Sequence, residues 1–439
     1  MIINIIGAGL AGSEAAYQLA KRGIKINLFE MRPEKFTPAH KTEKFAELVC
    51  SNSLRSNNMT HPAGILKREL LELDSLLIKT AIKYSIPGGN ALVVDREKFS
   101  EEITEILKQN PNINIIHKEI KNLNELNGIS IIATGPLTEK SLAEDLIKIT
   151  GKENFYFFDA IAPIIDAESI DMTNAFYGSR YSNDKDYINC PLSEEEYFNF
   201  VKELKNAKTF PLKEFEKEIH FEGCMPIEEM AKRGDMTLSF GPMKPVGLID
   251  PKTGKQPFAV VQLRKENKEG TAYNIVGFQT KMLIQEQERV FRLIPALKNA
   301  KFLRYGSMHK NIYLNAPEVL NDDMSLKNKK DIFIAGQLSG VEGYIESIAH
   351  GLLVALIVYF RVIEKKFPYP EKTFAFGALY NFLREKRKNL QPSNINFSLF
   401  SYPENIKKIK NKRLRKEKIA EFSFNKFLEW RDKLLNNSF

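Results

Sequence analysis

Three glycines near the start of the chain have the spacing of a dinucleotide-binding loop. Gly7, Gly9 and Gly12 follow an apolar run at 2–6, and a helical segment and a second apolar run ending at Glu30 come after them. The first glycine allows a tight turn, the second lets backbone amides approach a pyrophosphate, and the third lets helix and strand pack closely. The helix N-terminus attracts phosphate, and the acid binds a ribose hydroxyl. The pattern predicts a dinucleotide site but does not separate FAD from NAD, and a tight turn between core elements is the alternative.

Two of the three cysteines stand in polar segments where a thiol can do chemistry. Cys50 lies in a polar stretch at 47–56, where the first crossover of a nucleotide domain would face its ligand. Cys224 follows a glycine and precedes Met-Pro, a constrained loop that can present a sulfur atom. A free cysteine is usually a small buried apolar residue, so composition alone assigns no role to any of the three.

The bulk composition indicates a large globular protein. The 439 residues, 43% of them hydrophobic, are enough for a large core and two domains. Three cysteines argue against a disulfide framework and for a reducing cytoplasm. We expect no signal peptide, no metal and no apolar stretch of membrane-spanning length, because the longest run, at 351–360, suits a buried helix.

Much of the net charge of +9 is concentrated near the C-terminus. Within 407–418 the only acid is Glu417, and the eight basic residues are Lys407, Lys408, Lys410, Lys412, Arg413, Arg415, Lys416 and Lys418. Such a cluster favours a polyanionic partner and suits RNA phosphates, while a solvated helix face is the alternative.

The remaining pattern predicts an α/β fold with an insertion. We expect a Rossmann-like dinucleotide-binding domain in two parts, 1–158 and 301–439, an inserted α+β domain at 159–300, and a basic helical tail. A strand at 129–133 ends in Ala-Thr-Gly, which is common in two-dinucleotide-binding flavoproteins. A second apolar strand at 331–335 leads through a glycine-rich turn into a long apolar helix, and a further helix is expected at 63–80.

Eight motifs in order give the chain a family resemblance that covers residues 7 to about 397. They are GAGLAG from Gly7, LVCSNS from Leu48, NALVVDRE from Asn90, EGCMPIE from Glu222, GPMKPVGL from Gly241, FQTKM from Phe278, RYGSMHKN from Arg304 and GQLSGVEGYIES from Gly336. The chain resembles the TrmFO family of folate- and FAD-dependent RNA uracil-5-methyltransferases. The flavoprotein that modifies wobble uridines of tRNA is a more distant relative, without the LVCSNS and EGCMP boxes.

The resemblance implies a reaction and its cofactors. Methylenetetrahydrofolate would donate a one-carbon unit, reduced FAD would supply a hydride, and a uridine, in tRNA that of the T loop, would become 5-methyluridine. NADH or NADPH would recycle the flavin. The FAD-contacting residues would be Gly7, Ala8, Gly9, Leu10, Ala11, Gly12, Glu30, Arg32, Gly336, Gln337, Gly343, Tyr344 and Ile345.

Resemblance also suggests the reacting groups. We expect Cys224 to attack uracil C6 and Cys50 to assist, and the reverse assignment stays open. Cys190 matches none of the family's cysteine motifs and is interpreted as structural. Substrate contacts are expected at Arg96, His309, Asn311, Lys407, Lys408, Arg413 and Arg415, although Arg96 could instead pair with Asp95.

The tail box departs from the family pattern. Gln-Pro-Met-Asn and Asn-Phe-Gly are usual there, whereas Ser393 and Ser398 stand in this chain, and His309-Lys310-Asn311 replaces the usual His-Arg-Asn. These departures leave the target open between tRNA and 23S ribosomal RNA. A flavin- and RNA-binding protein without turnover and a generic NAD(P)H oxidase or dehydrogenase are the alternatives from other classes. The oligomeric state is not indicated.

Overall fold

The computed structural model describes residues 1–151, 155–181, 184–210, 225–386 and 390–438, with the backbone alone at 155–159, 309, 310 and 438. The strands are β1 (Ile2–Ile6), β2 (Lys25–Glu30), β3 (Ser53–Ser56), β4 (Ser85–Ile86), β5 (Ala91–Val94), β6 (Ile113–His117), β7 (Ser130–Ile132), β8 (Phe155–Ile161), β9 (Ile164–Asp166), β10 (Phe176–Gly178), β11 (Tyr187–Leu192), β12 (Ala259–Lys265), β13 (Ala272–Ile275), β14 (Phe302–Arg304), β15 (Ser307–Tyr313), β16 (Ser325–Leu326) and β17 (Lys329–Ile334). The helices are α1 (Leu10–Ala20), α2 (Pro62–Glu72), α3 (Leu76–Lys83), α4 (Arg96–Lys108), α5 (Lys140–Thr150), α6 (Glu194–Lys205), α7 (Ile227–Lys232), α8 (Thr237–Phe240), α9 (Ile284–Phe291), α10 (Ala316–Val319), α11 (Tyr344–Val362), α12 (Ala375–Arg384), α13 (Glu404–Lys407) and α14 (Lys412–Ser438).

A mostly parallel sheet carries the nucleotide motif. Its strand order is β16-β17-β7-β1-β2-β6, and only the edge strand β16 runs antiparallel. The central strand β1 is apolar on both faces, as a strand covered by helices on each side requires. Ligands of such sheets bind at the carboxyl ends of the strands, where β1, β2, β7 and β17 end side by side. The predicted Rossmann-like α/β fold class is confirmed.

An antiparallel sheet with its own core fills the middle of the chain. Its strand order is β10-β11-β12-β13-β9-β14. Helices α6, α7 and α9 cover it, and its buried apolar cluster draws on residues 165–300. There are also a two-stranded sheet, β15–β8, and a three-stranded sheet, β3–β5–β4. The domain boundaries expected from the sequence remain predictions.

The predicted helix at 63–80 is two helices. Asp74 has φ +62°, which ends α2, and the Ser75 hydroxyl accepts the N–H of Ile78 and so caps α3. The apolar period continues across the break because Leu70, Leu73 and Leu77 all face the core. The pattern therefore predicted the buried face correctly and missed the interruption.

One expectation about apolar length was wrong. Helix α11, with 19 residues, is long and apolar enough to span a membrane by length and composition. In the fold, 83% of its most apolar window is buried, and it packs against α1. Its apolar character therefore suits a core helix between the parallel sheet and the rest of the molecule.

The tail packs its apolar face on α2. Trp430 and Phe427 of α14 contact Phe374 and Phe376, and the guanidinium of Arg68 on α2 lies 3.3 Å from the centre of the Phe424 ring. The basic N-terminal turns of α14 stay exposed.

Candidate active site

A cavity of about 1100 Å³ opens at the carboxyl ends of β1, β2, β7 and β17. Most residues that the sequence assigned to a cofactor line it. They are Gly7, Gly9, Leu10, Ala11, Glu30, Arg32, Gly336, Gln337 and Tyr344. The Thr134-Gly135-Pro136 turn that follows β7 lines it too.

The start of α1 has the features of a pyrophosphate cradle. No atom lies within 4 Å of the place where a side chain on Gly9 would begin, so the backbone there faces open space. Gly9 caps α1 without a side-chain hydrogen bond, which leaves first-turn N–H groups for a ligand. A side chain on Gly12 would begin 1.8 Å from the Gly7 carbonyl oxygen, so only glycine lets the helix approach the turn this closely. The residues present therefore fit a dinucleotide such as FAD.

Glu30 is held in place by Arg32. The Arg32 Nε lies 2.9 Å from one carboxylate oxygen, and Arg32 Nη2 and the Ala8 N–H donate to the other. Burial alone would raise the pKa of Glu30, but these hydrogen bonds and the guanidinium charge lower it below its usual value. The acid at the ribose position is therefore ionised and oriented before a ligand arrives.

Arg32 also fixes the loop after β2. Its Nη1 donates to the carbonyl oxygens of Thr42 and Lys44, each at 3.0 Å, and lies 3.3 Å from a carboxylate oxygen of Glu47. The side chain is only 2% exposed. Arg32 therefore lines the cavity, but several of its N–H groups are used to hold the loop.

The second half of the cavity is the N-terminus of α11. The Gly336 N–H donates to His350 Nδ1 at 3.0 Å, and burial lowers the pKa of His350 to about 3, so this ring is a neutral acceptor. Gln337 donates to Glu342, which fixes the turn before the helix. The positive end of the α11 dipole points toward the cavity beside Tyr344.

Cys50 meets Tyr344 at this helix terminus. The Tyr344 hydroxyl oxygen accepts the N–H groups of Cys50 at 2.8 Å and Ser51 at 3.1 Å, and it lies 2.9 Å from Cys50 Sγ. Two N–H donors fill the acceptor positions of a phenol, so its own proton points at the sulfur. Burial, together with Cys50, raises the pKa of Tyr344 well above its usual value, and the hydroxyl stays protonated. The Tyr344 hydroxyl is therefore a proton donor at the Cys50 sulfur.

The segment around Cys50 is fastened to the antiparallel sheet. Arg264 on β12 donates to Ser51 Oγ at 2.8 Å and to Asn52 Oδ1 at 3.1 Å. Asn52 is fully buried and donates to the carbonyl oxygen of Lys265 at 2.9 Å. These contacts hold the inserted region against the cysteine loop.

Two further arginines surround Cys50. Arg96 lies at the start of α4, with Nη1 2.9 Å from the Leu48 carbonyl oxygen and Nη2 2.6 Å from a carboxylate oxygen of Glu266. The ion-pair alternative is therefore realised with Glu266, whereas Asp95 caps α4 by accepting the Lys98 N–H. Burial and Arg96 lower the pKa of Arg304, which forms no ion pair with a residue that the structure describes. The pocket beside Cys50 is positively charged.

Four of the assigned cofactor residues do not line the cavity. Ala8 and Ile345 are fully buried in the core, Gly12 supports the turn, and Gly343 precedes α11. These four residues support the walls of the cavity without lining it.

The assigned substrate residues are spread over several elements. Asn311 lies on β15 and is 3% exposed, and His309 lies on the same strand opposite Asp159, its side chain outside the described residues. Lys407 and Lys408 are at the end of α13, and Arg413 and Arg415 are in the first turn of α14. Lys416 is close enough to His61, just before α2, to lower its pKa, after the larger effect of burial. The basic cluster is therefore near the segment that follows Cys50.

The three cysteines have different surroundings. Cys50 is half-buried against Tyr344, which lines the cavity, and Cys190 is fully buried on β11, where burial raises its pKa. Cys224 lies outside the described residues. Met225, the next residue, is buried, and two residues later α7 begins.

Sequence reasoning missed several residues of the site. Arg264, Asn52 and Glu266 organise the Cys50 loop, and Thr37, His40 and Lys118 line the cavity. Arg264 and Asn52 each lie in a short polar or apolar run that stood out in the sequence. The hydrogen bond between them joins residues more than 200 positions apart in the chain.

Comparison with known proteins agrees with this geometry. The family model "Glucose inhibited division protein A" matches residues 2–366. A Persephonella marina protein named methylenetetrahydrofolate–tRNA-(uracil-5-)-methyltransferase TrmFO is 54% identical over 421 residues, which cover 95% of this chain and 96% of that protein. A Listeria innocua protein of the same name is 53% identical over 95% of this chain and 96% of its own length. The structure of Aquifex aeolicus GidA has a TM-score of 0.68 at 15% identity, covering 99% of this chain and 75% of that one, and shares the fold.

Proposed function

Because the chain belongs to the TrmFO family, we propose that it transfers the one-carbon unit of 5,10-methylenetetrahydrofolate to C5 of a uridine in the T loop of tRNA. The product is 5-methyluridine. The match extends over nearly the full length of this chain and of its relatives, which supports the same overall reaction.

The chemistry needs a thiolate, a base, a one-carbon carrier and a hydride donor. Uracil C5 is a poor nucleophile until a thiolate adds to C6 and moves an electron pair toward C5. C5 then bonds the methylene carbon while one of the two bonds from that carbon to folate nitrogens breaks. A base takes the C5 proton, and the second carbon–nitrogen bond breaks to release tetrahydrofolate. A hydride then completes the methyl group, and the C6–S bond breaks to release the thiolate. We assign C6 attack to Cys224 and an assisting role to Cys50, as proton acceptor or in handling the methylene.

FAD is the cofactor that the cavity fits, and in its reduced form it would supply the hydride. Gly7 to Gly12 and α1 would hold the pyrophosphate, and Glu30 would hold the ribose. Gly336, Gln337 and the N-terminus of α11 would hold the flavin end, where a positive dipole favours an anionic ring. NADH or NADPH is the proposed reductant that restores it.

The observation that carries the proposal is the contact between Cys50 and Tyr344. It brings a thiol to a residue that lines the dinucleotide cavity, with a hydroxyl proton aimed at the sulfur and Arg264 and Arg304 nearby. A simple oxidase needs no such sulfur. The contact supports a reaction in which a thiol and a dinucleotide cofactor act on one substrate.

The location of the basic cluster supports an RNA substrate. One of its cations, Lys416, lies close to His61 just before α2, and α2 contacts the strand β3 that follows Cys50, so a phosphate backbone bound there would pass near the cysteine loop. We place the reaction in the bacterial cytoplasm, where cysteine thiols stay reduced.

The test is methyl transfer from labelled methylenetetrahydrofolate with purified flavin-loaded protein. Unmodified tRNA and a 23S ribosomal RNA fragment are assayed separately, with NADH and NADPH in parallel. Labelled 5-methyluridine in the tRNA T loop is the expected result. Label in ribosomal RNA alone would overturn the tRNA assignment, and no label in either, with flavin bound, would overturn the proposed reaction.

Three cysteine variants separate the roles. Cys224→Ala and Cys50→Ala should each abolish methyl transfer and keep the flavin spectrum. Cys190→Ala is the matched control and should keep activity, because its thiol is buried away from the cavity. Full activity of Cys224→Ala would remove the assignment of Cys224 as nucleophile.

A further inference from the structure

A group of apolar side chains on the inserted region is exposed without an evident structural reason. Phe240, at the end of α8, is 80% exposed, Tyr181 is 67%, Ile249 is 58% and Val246 is 55%. We call these four residues, together with Arg180 and Lys244, the ring patch. Clustered exposed apolar residues with a polar rim usually mark an interaction site.

The ring patch is built on a fixed loop. Met243 and Leu248 are buried and anchor the loop, while Val246 between them points outward. A side chain on Gly247 would begin 2.0 Å from the Arg180 carbonyl oxygen, so the two loops touch backbone to backbone. Arg180 Nη2 donates to the Pro242 carbonyl oxygen at 3.0 Å. The exposed rings therefore stand on a scaffold that packing defines.

The two cations of the ring patch lack anionic partners. Neither Arg180 nor Lys244 forms an ion pair within the described part of the chain. The Lys244 ammonium lies 5.3 Å from the centre of the Tyr181 ring, and burial lowers the pKa of Arg180. A surface that combines open rings with unneutralised cations is complementary to nucleotides, which offer flat bases and negative phosphates.

A chain of contacts links the ring patch to Cys50. In the antiparallel sheet, Tyr187 pairs with Gly178 on one side and Arg264 on the other. Arg264 donates to Ser51, next to Cys50. Arg180 is two residues beyond Gly178, so the ring patch begins at the end of the sheet that is fastened to the cysteine loop.

We propose that the ring patch binds unpaired bases of the substrate RNA by stacking them on Phe240 and Tyr181. Arg180 and Lys244 contact the adjoining phosphates. Bases in single-stranded loops can splay out onto aromatic side chains, whereas paired bases in a duplex cannot. The inference rests on the proposed function, since that function supplies an RNA with an unpaired loop. In this proposal the ring patch binds the unpaired loop of the RNA, and the basic cluster binds its helical arms.

The test is the affinity of the full flavin-loaded chain for a tRNA transcript and for fully paired duplex RNA. Phe240→Ala should raise the Kd for tRNA about tenfold and leave the Kd for duplex RNA nearly unchanged. Phe240→Trp keeps a stacking ring and should retain affinity. Ile82→Ala is the matched control, because Ile82 is an exposed apolar residue of α3 outside the ring patch.

The outcomes separate this inference from the proposed function. An unchanged tRNA Kd in Phe240→Ala, with normal methyl transfer by the unmodified chain, overturns the ring patch alone. A tenfold weaker tRNA Kd in Phe240→Ala with no methyl transfer by the unmodified chain supports the ring patch and overturns the reaction. If Phe240→Ala changes the sedimentation coefficient of the protein and leaves its Kd for tRNA unchanged, the ring patch is a contact between copies of the chain. That outcome overturns the inference.

Discussion

Arg55 Nη1 lies 2.6 Å from Glu346 Oε1 and joins the strand that follows Cys50 to the helix that begins with Tyr344. The same carboxylate oxygen accepts the N–H of Ile395 in the tail box at 2.9 Å. Glu346 is fully buried, and burial raises its pKa although Arg55 opposes the shift. One ion pair thus connects both halves of the cavity to the C-terminal region.

Replacing Arg55 alone should destabilise the protein more than replacing Arg55 and Glu346 together. Arg55→Ala leaves the buried Glu346 carboxylate without its cation, and we expect a loss of about 2–4 kcal/mol, below the full value for a buried pair because Arg55 is partly exposed. The double variant Arg55→Ala/Glu346→Gln should recover part of that loss. Urea unfolding followed by circular dichroism measures both. Equal stabilities of the single and double variants would show that the pair is not coupled.

Tyr344→Phe removes the hydroxyl that contacts Cys50 and keeps the ring at the cavity. The N–H groups of Cys50 and Ser51 lose their acceptor, which should cost about 1–3 kcal/mol of unfolding free energy. Because the sulfur also loses its proton donor, methyl transfer should fall by about tenfold to a hundredfold, with the larger change in kcat rather than in KM for RNA. Steady-state kinetics and the flavin spectrum check this prediction.

Tyr359→Phe provides the control for Tyr344→Phe. It removes a hydroxyl from the same helix at a position about 22 Å further along the helix axis than Tyr344, and it should leave kcat unchanged. Equal rates for Tyr344→Phe and the unmodified chain would contradict a role for the hydroxyl at the sulfur.

Lys67 predicts a particular dependence of stability on pH. It is 3% exposed and donates to the carbonyl oxygens of Leu54 and Arg55, and burial, with Arg55, lowers its pKa to about 7. An unfolded lysine has a pKa of about 10.4. Between these values the unfolded chain holds the extra proton, so the free energy of unfolding contributed by Lys67 rises with pH.

Lys67→Met removes this titration at nearly the same side-chain length. Between pH 7 and pH 9 the unfolding free energy of the unmodified chain should gain about 2–3 kcal/mol relative to the variant, at ~1.4 kcal/mol per pH unit. Urea titrations at the two pH values measure the difference. Lys140→Met, at an exposed helical lysine, should show no such change, and a constant difference for Lys67→Met would refute the prediction.

Local sequence patterns predicted the elements of this site better than their contacts. The strand–glycine–helix unit from Gly7 to Glu30 was recognisable because every residue that defines it lies within one short segment. Cys50 and Tyr344 each belong to a recognisable motif, but 294 residues separate them, and no periodicity indicates that they touch.

The same limit applies to the ion-pair alternative for Arg96. Asp95 is adjacent in sequence, yet helix capping uses its carboxylate, and the ion pair forms with Glu266 from the antiparallel sheet. Packing of the inserted region on the nucleotide-binding half decides such pairs. The break at Asp74 was missed for a related reason, since the apolar period continues through it.

The basic tail should determine how RNA binding depends on salt. Replacing Lys407, Lys408, Arg413 and Arg415 by Gln removes four cations, of which Arg415 is half-buried and the others are exposed, without touching the cavity. Each phosphate contact contributes about 0.7–0.9 to the slope of log K against log salt concentration, so loss of four contacts should flatten the slope by about 3. Filter-binding titrations over a range of salt concentrations measure it, and the flavin spectrum checks that the fold is intact. Replacing Lys25, Lys108, Lys140 and Lys298, which lie outside the tail, gives the matched control, and an equal change in both quadruple variants would show that the tail carries no special contact.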